Sequence, residues 1–130
     1  MLRINWRDLA LNKWSTFLGY VLLVLCVCTY ASDKKIIGNL KRVVDGDTIH
    51  LKTETNNAIK VRLAFIDAPE LNQPFGTDAK AFLKKMEGQR VTIDVKSKDR
   101  YGRYVAILFH RNADMNLAMI ENGYAWVYTK

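Results

Sequence analysis

Thr48-Ile-His-Leu-Lys-Thr53, the turn Thr55-Asn-Asn57 and Ile59-Lys-Val-Arg-Leu-Ala-Phe-Ile66 together decide the architecture. Ile59, Val61, Leu63 and Phe65 recur at every second position, the period of a half-buried strand. The polar Thr55–Asn57 segment reverses the chain between this strand and Thr48–Thr53. Upstream, Asp45-Gly46-Asp47 is a second tight connection, signalled by its Asp-Gly pair, and Ile36–Val44 reads as the strand before it. Three consecutive strands on short turns make an antiparallel meander.

Downstream the period changes. Ala79, Phe82, Leu83 and Met86 fall at i, i+3, i+4 and i+7, the apolar stripe of a helix packed on a core. Thr77 is the expected N-cap, Asp78 suits the positive helix start, and Gly88 is the expected end. Arg90–Lys96 alternates again as a strand, with Tyr104–His110 as its partner. Met115–Asn122 reads as a short helix closed by Gly123, and the apolar Ala125–Tyr128 is expected to pack back on the body. This order predicts a mainly β fold with helices (α+β), a five-stranded OB-type barrel with two short helices.

An N-terminal hydrophobic export segment precedes that domain. Met1–Lys13 carries Arg3, Arg7 and Lys13 against Asp8, and Trp14–Ser32 has no charged residue. A basic region before an apolar run is the pattern of a signal peptide. Small residues at Thr29 and Ala31 fit a cut ahead of Ser32; left uncleaved, residues 14–31 would tether the protein to a membrane. Residues 1–31 are therefore read as signal peptide or anchor and 32–130 as the folded domain, exported to the periplasm or the extracellular space. Cys26 and Cys28 lie in the apolar run, so the domain folds without disulfides. Of the 20 basic and 13 acidic side chains, residues 32–130 keep 17 and 12, a net of +5. Such a balance suits phosphate-rich partners or anionic surfaces, or plain solubility.

Four constellations stand out. In Val44-Asp-Gly-Asp-Thr48, Asp45 is ordinary turn chemistry, whereas Asp47 opens a strand where Thr or Val is favoured. In Phe65-Ile-Asp-Ala-Pro-Glu70, Asp67 and Glu70 flank Ala-Pro as a solvated strand exit or as an oxygen-rich hard-metal site. Arg62 faces away from Ile59, Val61 and Leu63, as a surface arginine would. Five residues of extended strand would hold its Cα about 17 Å from that of Asp67, so the two share a site only if the barrel curls strongly. Lys98-Asp-Arg-Tyr-Gly-Arg-Tyr104 is a charged hairpin turn or a phosphate-binding one, with arginine forks and stacking tyrosines.

Taken in order, these pieces resemble the staphylococcal nuclease-like (thermonuclease) family over about residues 36 to 128. The matching elements are Val44–Thr48, Val61-Arg-Leu63, Ile66-Asp-Ala-Pro-Glu70, Phe75-Gly76, Asp99-Arg-Tyr-Gly-Arg103 and Asn122-Gly-Tyr-Ala-Trp-Val127. The resemblance implies a calcium-dependent nuclease (a phosphodiesterase/endonuclease) acting on DNA and RNA with low sequence specificity, as a monomer. It implies Asp47, Asp67 and the carbonyl of Ala68 as ligands of Ca2+, and Glu70 as general base. Arg62 and Arg103 would neutralise the phosphate transition state, and Tyr101 would contact the substrate. His50 and His110 receive no role and read as ordinary polar positions. Many relatives continue into a further C-terminal helix, so Ala125–Tyr128 is expected to cover the core unaided. The competing reading is a non-catalytic OB-type module that binds nucleic acid or protein.

Overall fold

The structure, a computed structural model, describes residues 34–129; the expected export segment, residues 1–31, lies outside them. Along the chain follow β1 (Lys34–Val43), β2 (Thr48–Thr53), β3 (Ala58–Leu63), β4 (Ile66–Asp67), α1 (Gly76–Lys84), β5 (Arg90–Lys98), β6 (Tyr104–His110), β7 (Ala113–Asp114), α2 (Met115–Glu121) and β8 (Trp126–Val127). β1, β2 and β3 form the antiparallel meander. β5 pairs with both β1 and β6, and β6 runs parallel to β3, so five strands close into an OB-type barrel. Alternation decides which side chains fill it. Leu40, Ile49, Leu51, Val61, Ile93 and Leu108 are fully buried, and α1 and α2 add Leu83 and Met119 to the same cluster. Each such side chain contributes about 1.5–3 kcal/mol by leaving water. Among the described residues, no helix is long and apolar enough to cross a membrane.

The third strand departs from its expected length. It stops at Leu63: the Ala64 N–H turns to the carbonyl of Ala106 at 2.8 Å, and Phe65 takes a left-handed conformation with φ 61°. Its ring leaves the face of Ile59, Val61 and Leu63 and stands 58% exposed. A period of two cannot distinguish a strand from a strand ended by one reversed residue, because the spacing of apolar positions is the same.

The first helix also begins earlier than expected. Phe75, with φ 65°, is its N-cap and contributes no side-chain cap, while Thr77 lies inside the first turn. The helix ends at Lys84, and Met86 reaches the core from the turn that leads to Gly88. α2 is capped by Asp114, whose side chain accepts the N–H of Leu117 at 2.9 Å. The C-terminal tail returns to the body by backbone pairing of β8 with β4. Ala125 joins the core, while Trp126, Val127 and Tyr128 keep about half or more of their surface exposed along β4.

Candidate active site

The site begins at the β1–β2 turn. Asp45 Oδ1 accepts the N–H of Asp47, which fixes the turn, and the carbonyl of Asp47 accepts the N–H of Leu63 on β3. A Cβ on Gly46 would lie 2.6 Å from that of Ala68 and 2.8 Å from that of Ala79. Only glycine lets this turn press between the loop after β4 and α1. Asp47 is buried there as a result: Oδ1 accepts the Thr48 hydroxyl and Oδ2 accepts the N–H of Ala68, both at 3.1 Å.

The left-handed turn at Phe65 supplies the second half. It folds β4 back so that Arg62 reaches Asp67 without any long curl of the strand. One guanidinium nitrogen of Arg62 meets Asp67 Oδ1 at 2.8 Å, and the other meets Asp47 Oδ2 at 2.8 Å and the carbonyl of Ile66 at 3.0 Å. Asp47, Arg62, Asp67 and Ala68 thus form one connected cluster. The turn is held from behind by Asn116 of α2, a buried residue that sequence reasoning missed. Its amide donates to the carbonyls of Ala64 (2.9 Å) and Ala106 (3.3 Å), and its oxygen accepts the N–H of Leu108. A polar residue inside a short amphipathic helix carries no signal of such a contact before the helix is docked.

Arg103 and Tyr101 come from the β5–β6 turn and line, with Arg62 and Asp67, a cavity of about 740 Å³. Asp99, also absent from the expected set, organises this turn. Its Oδ1 accepts the N–H groups of Tyr101 and Arg103, and its Oδ2 accepts Nε of Arg103 at 2.8 Å. The spacing Asp99…Arg103 around Gly102 was the available signal. Arg103 keeps the terminal nitrogens of its fork free of this contact. The guanidinium groups of Arg100 and Arg103 lie 4.8 and 5.6 Å from the centroid of the exposed Tyr101 ring.

Glu70 stands apart from the cluster on an exposed loop. Its N–H donates to Gln73 Oε1 and its carbonyl accepts the N–H of Gln73. Gly76 packs so closely over this loop that a Cβ would overlap the Glu70 carbonyl oxygen. Among the described residues, the Glu70 carboxylate has no hydrogen bond or ion pair, so its backbone is fixed while its side chain remains free to meet a ligand.

The electrostatics follow from burial. Desolvation pushes the Asp47 carboxyl up from 3.8 to about 6, against the opposing pull of Arg62 and of the Ala68 N–H. At Asp99, desolvation also acts upward, but the hydrogen bonds of Arg103 and Tyr101 outweigh it and hold the carboxyl below its ordinary value. Among the described residues, no three His, Cys, Asp or Glu side chains gather as a metal cluster. Asp47 and Asp67 with the carbonyl of Ala68 nonetheless offer hard oxygens of the kind calcium prefers. Arg62 alone leaves the buried charge of Asp47 under-compensated, and that fits a further cation held by few protein ligands and completed by water or substrate.

The sequence profile of the family described as staphylococcal nuclease homologue matches residues 60–130. A protein of Haemophilus influenzae named an uncharacterized endonuclease is 39% identical over 109 residues, 83% of this chain and 61% of the relative. One of the same name from Escherichia coli O157:H7 is 35% identical over 112 residues, covering 84% of this chain and 72% of the relative. A micrococcal nuclease of Shigella flexneri is 34% identical over 118 residues, covering 83% and 66%. The chain therefore spans between three-fifths and three-quarters of the length of these relatives.

Proposed function

Since the chain belongs to the staphylococcal nuclease homologue family, we propose that it is an endonuclease hydrolysing phosphodiester bonds of DNA and RNA. The observation that carries this reading is that Arg62 and Asp67 line the same cavity as Arg103 and Tyr101, with the buried Asp47 paired to Arg62. Two arginines converging on one concave surface match the oxygens of a phosphodiester, because each guanidinium stays protonated and presents parallel donors. Arg62 and Arg103 would stabilise the charge that develops on those oxygens as the water–phosphorus bond forms and the ester bond breaks. Glu70, with its carboxylate unengaged, would take the proton from the attacking water. Tyr101 would stack on a base or contact the phosphate, and neither contact reads sequence.

Asp47, Asp67 and the Ala68 carbonyl would hold Ca2+. Bound there, the ion would add positive charge that polarises the phosphate. Arg62 now bridges the two aspartates, and a cation sharing those oxygens would free its fork for substrate. We propose further that the domain is exported, on the strength of the basic and apolar pattern of residues 1–31. The mass of the mature N-terminus distinguishes a cleaved signal from an anchor.

The deciding experiment compares the full chain with Glu70→Gln on single-stranded DNA in calcium and in chelator. Wild type should cut only with calcium, and the variant should be slower by about 10²–10⁴-fold while keeping its far-UV circular dichroism. An equally active variant would remove Glu70 from the mechanism. A folded wild-type chain that binds the strand without cutting it would make the domain a binding module.

A further inference from the structure

His50, an ordinary polar position by sequence, occupies an unusual row in the barrel. It faces Arg42 across the β1–β2 ladder and Lys60 across the β2–β3 ladder. Ile49, Leu51 and Val61 beside these residues are fully buried, Arg42 and Lys60 are exposed, and His50 is partly so. The three therefore cross three strands on the outer face. Interstrand spacing puts Arg42 and Lys60 roughly 10 Å apart with the imidazole between them. Lys52 follows His50 two residues along β2 on the same face. Arg62 follows Lys60 two residues along β3, about 6.6 Å away by strand rise. Tyr104 pairs with Val61, so the row also begins beside the turn that carries Arg103.

Among the described residues, Arg42, His50, Lys52 and Lys60 have no ion pair or side-chain hydrogen bond. Elsewhere in the barrel Arg90 pairs with Glu54, Lys96 with Asp94 and Arg103 with Asp99, while Lys34 and Lys98 lie over the ring of Tyr104. Glu87, whose carboxylate reaches β1, accepts the N–H of Val43 instead of pairing with Arg42. Unmatched basic residues in cross-strand register weaken a sheet slightly. The row therefore costs stability, and exposed side chains recover little of it by packing.

We propose that Arg42, His50 and Lys60 form a phosphate track, on which the backbone of a single-stranded nucleic acid crosses β3, β2 and β1 as it leaves the site at Arg62. The proposal rests on the nuclease reading and deepens it: the preferred substrate is a strand of several nucleotides, held through its phosphates and without regard to base. His50 acquires a role as the hydrogen-bond donor between two fixed charges.

The test uses the full chain bearing Glu70→Gln in chelator, so that binding is read without turnover. Anisotropy of a labelled oligothymidylate of about 12 nucleotides is followed between about 50 and 200 mM salt. Adding Arg42→Ala and Lys60→Ala should weaken binding about tenfold at the lower salt. The slope of log K against log[salt] should become shallower by about 1.4, since each single-strand phosphate contact contributes about 0.7. Arg42→Lys with Lys60→Arg should restore both, and the loss should be smaller for a dinucleotide than for the longer strand. Unchanged affinity and slope would overturn the track while leaving the nuclease reading intact. Loss of binding in the double variant, with no cleavage by the wild-type chain in calcium, would keep the track and remove the nuclease. If the double variant releases vesicles of anionic phospholipid but keeps the oligonucleotide, the row serves a membrane and the proposal falls.

Discussion

At Asp47, burial works against charge, and the sign of its pH dependence follows. Its carboxyl titrates near 6 in the folded chain and near 3.8 when unfolded. The folded state therefore favours the protonated form, and stability contributed by this group is present below about pH 3.8 and lost as the pH rises to about 6. The shift corresponds to about 3 kcal/mol at neutral pH, an order-of-magnitude value. In Asp47→Asn the amide oxygen can accept from Ala68 and Arg62 while the amide nitrogen donates to the Thr48 hydroxyl. That variant should be more stable than wild type by about 1–3 kcal/mol at pH 7 in chelator, and no more stable at pH 3, as urea unfolding would read. It should also lose calcium-dependent cleavage. Asp99 has the opposite sign, because its lowered carboxyl lends stability that is lost only as the pH falls below the ordinary carboxylate range. Asp99→Asn should keep the far-UV circular dichroism of the folded chain, lower the melting temperature modestly at pH 7 but not at low pH, and lower kcat through a loosened Arg103.

Two connections at the scale of elements bring the site together. The β3–β4 reversal puts Asp67 on Arg62, and it depends on Asn116 holding Ala64 from inside. Asn116→Ala would leave the Leu108 N–H and a carbonyl without partners in a buried place. It should destabilise the chain by about 2–4 kcal/mol, measured by denaturant unfolding. The other connection is the loop from Glu70 to α1, closed by Gly76. Gly76→Ala drives a methyl group into the Glu70 carbonyl, so helix and loop must separate. Activity should fall with stability there, whereas Thr77→Ala should change stability by less than about 0.5 kcal/mol, because Thr77 caps nothing.

For the whole molecule, closure of five strands creates the outer face on which the site and the proposed track lie. A cation bound only by the folded chain should raise its stability by about 2.7 kcal/mol at 100 times Kd, and calorimetry with and without calcium would show it; Asp47→Asn should abolish that increment. Much of this organisation is legible in the chain. The barrel strands follow from alternation, because burial of one face imposes a period of two, and the helical stripe follows from a period of 3.6. Of the site residues only Asp47 stands out by itself, opening a strand where Thr or Val is favoured; Arg62, Asp67, Glu70 and Arg103 are singled out by the resemblance of the ordered motifs to the family. The approach of Arg62 to Asp67 was not legible: an extended strand keeps them far apart, and the reversal at Phe65 leaves the apolar spacing unchanged. Asn116 and the row through His50 were hidden for a related reason. Their partners come from other elements or from cross-strand register, which the order of residues does not state. Sequence alone thus determined the elements, their inward faces and the charged residues left over, since these depend on local period and residue chemistry. Tertiary structure alone decided which of those charges meet, because contact between distant residues is set by strand register, barrel closure and one left-handed turn.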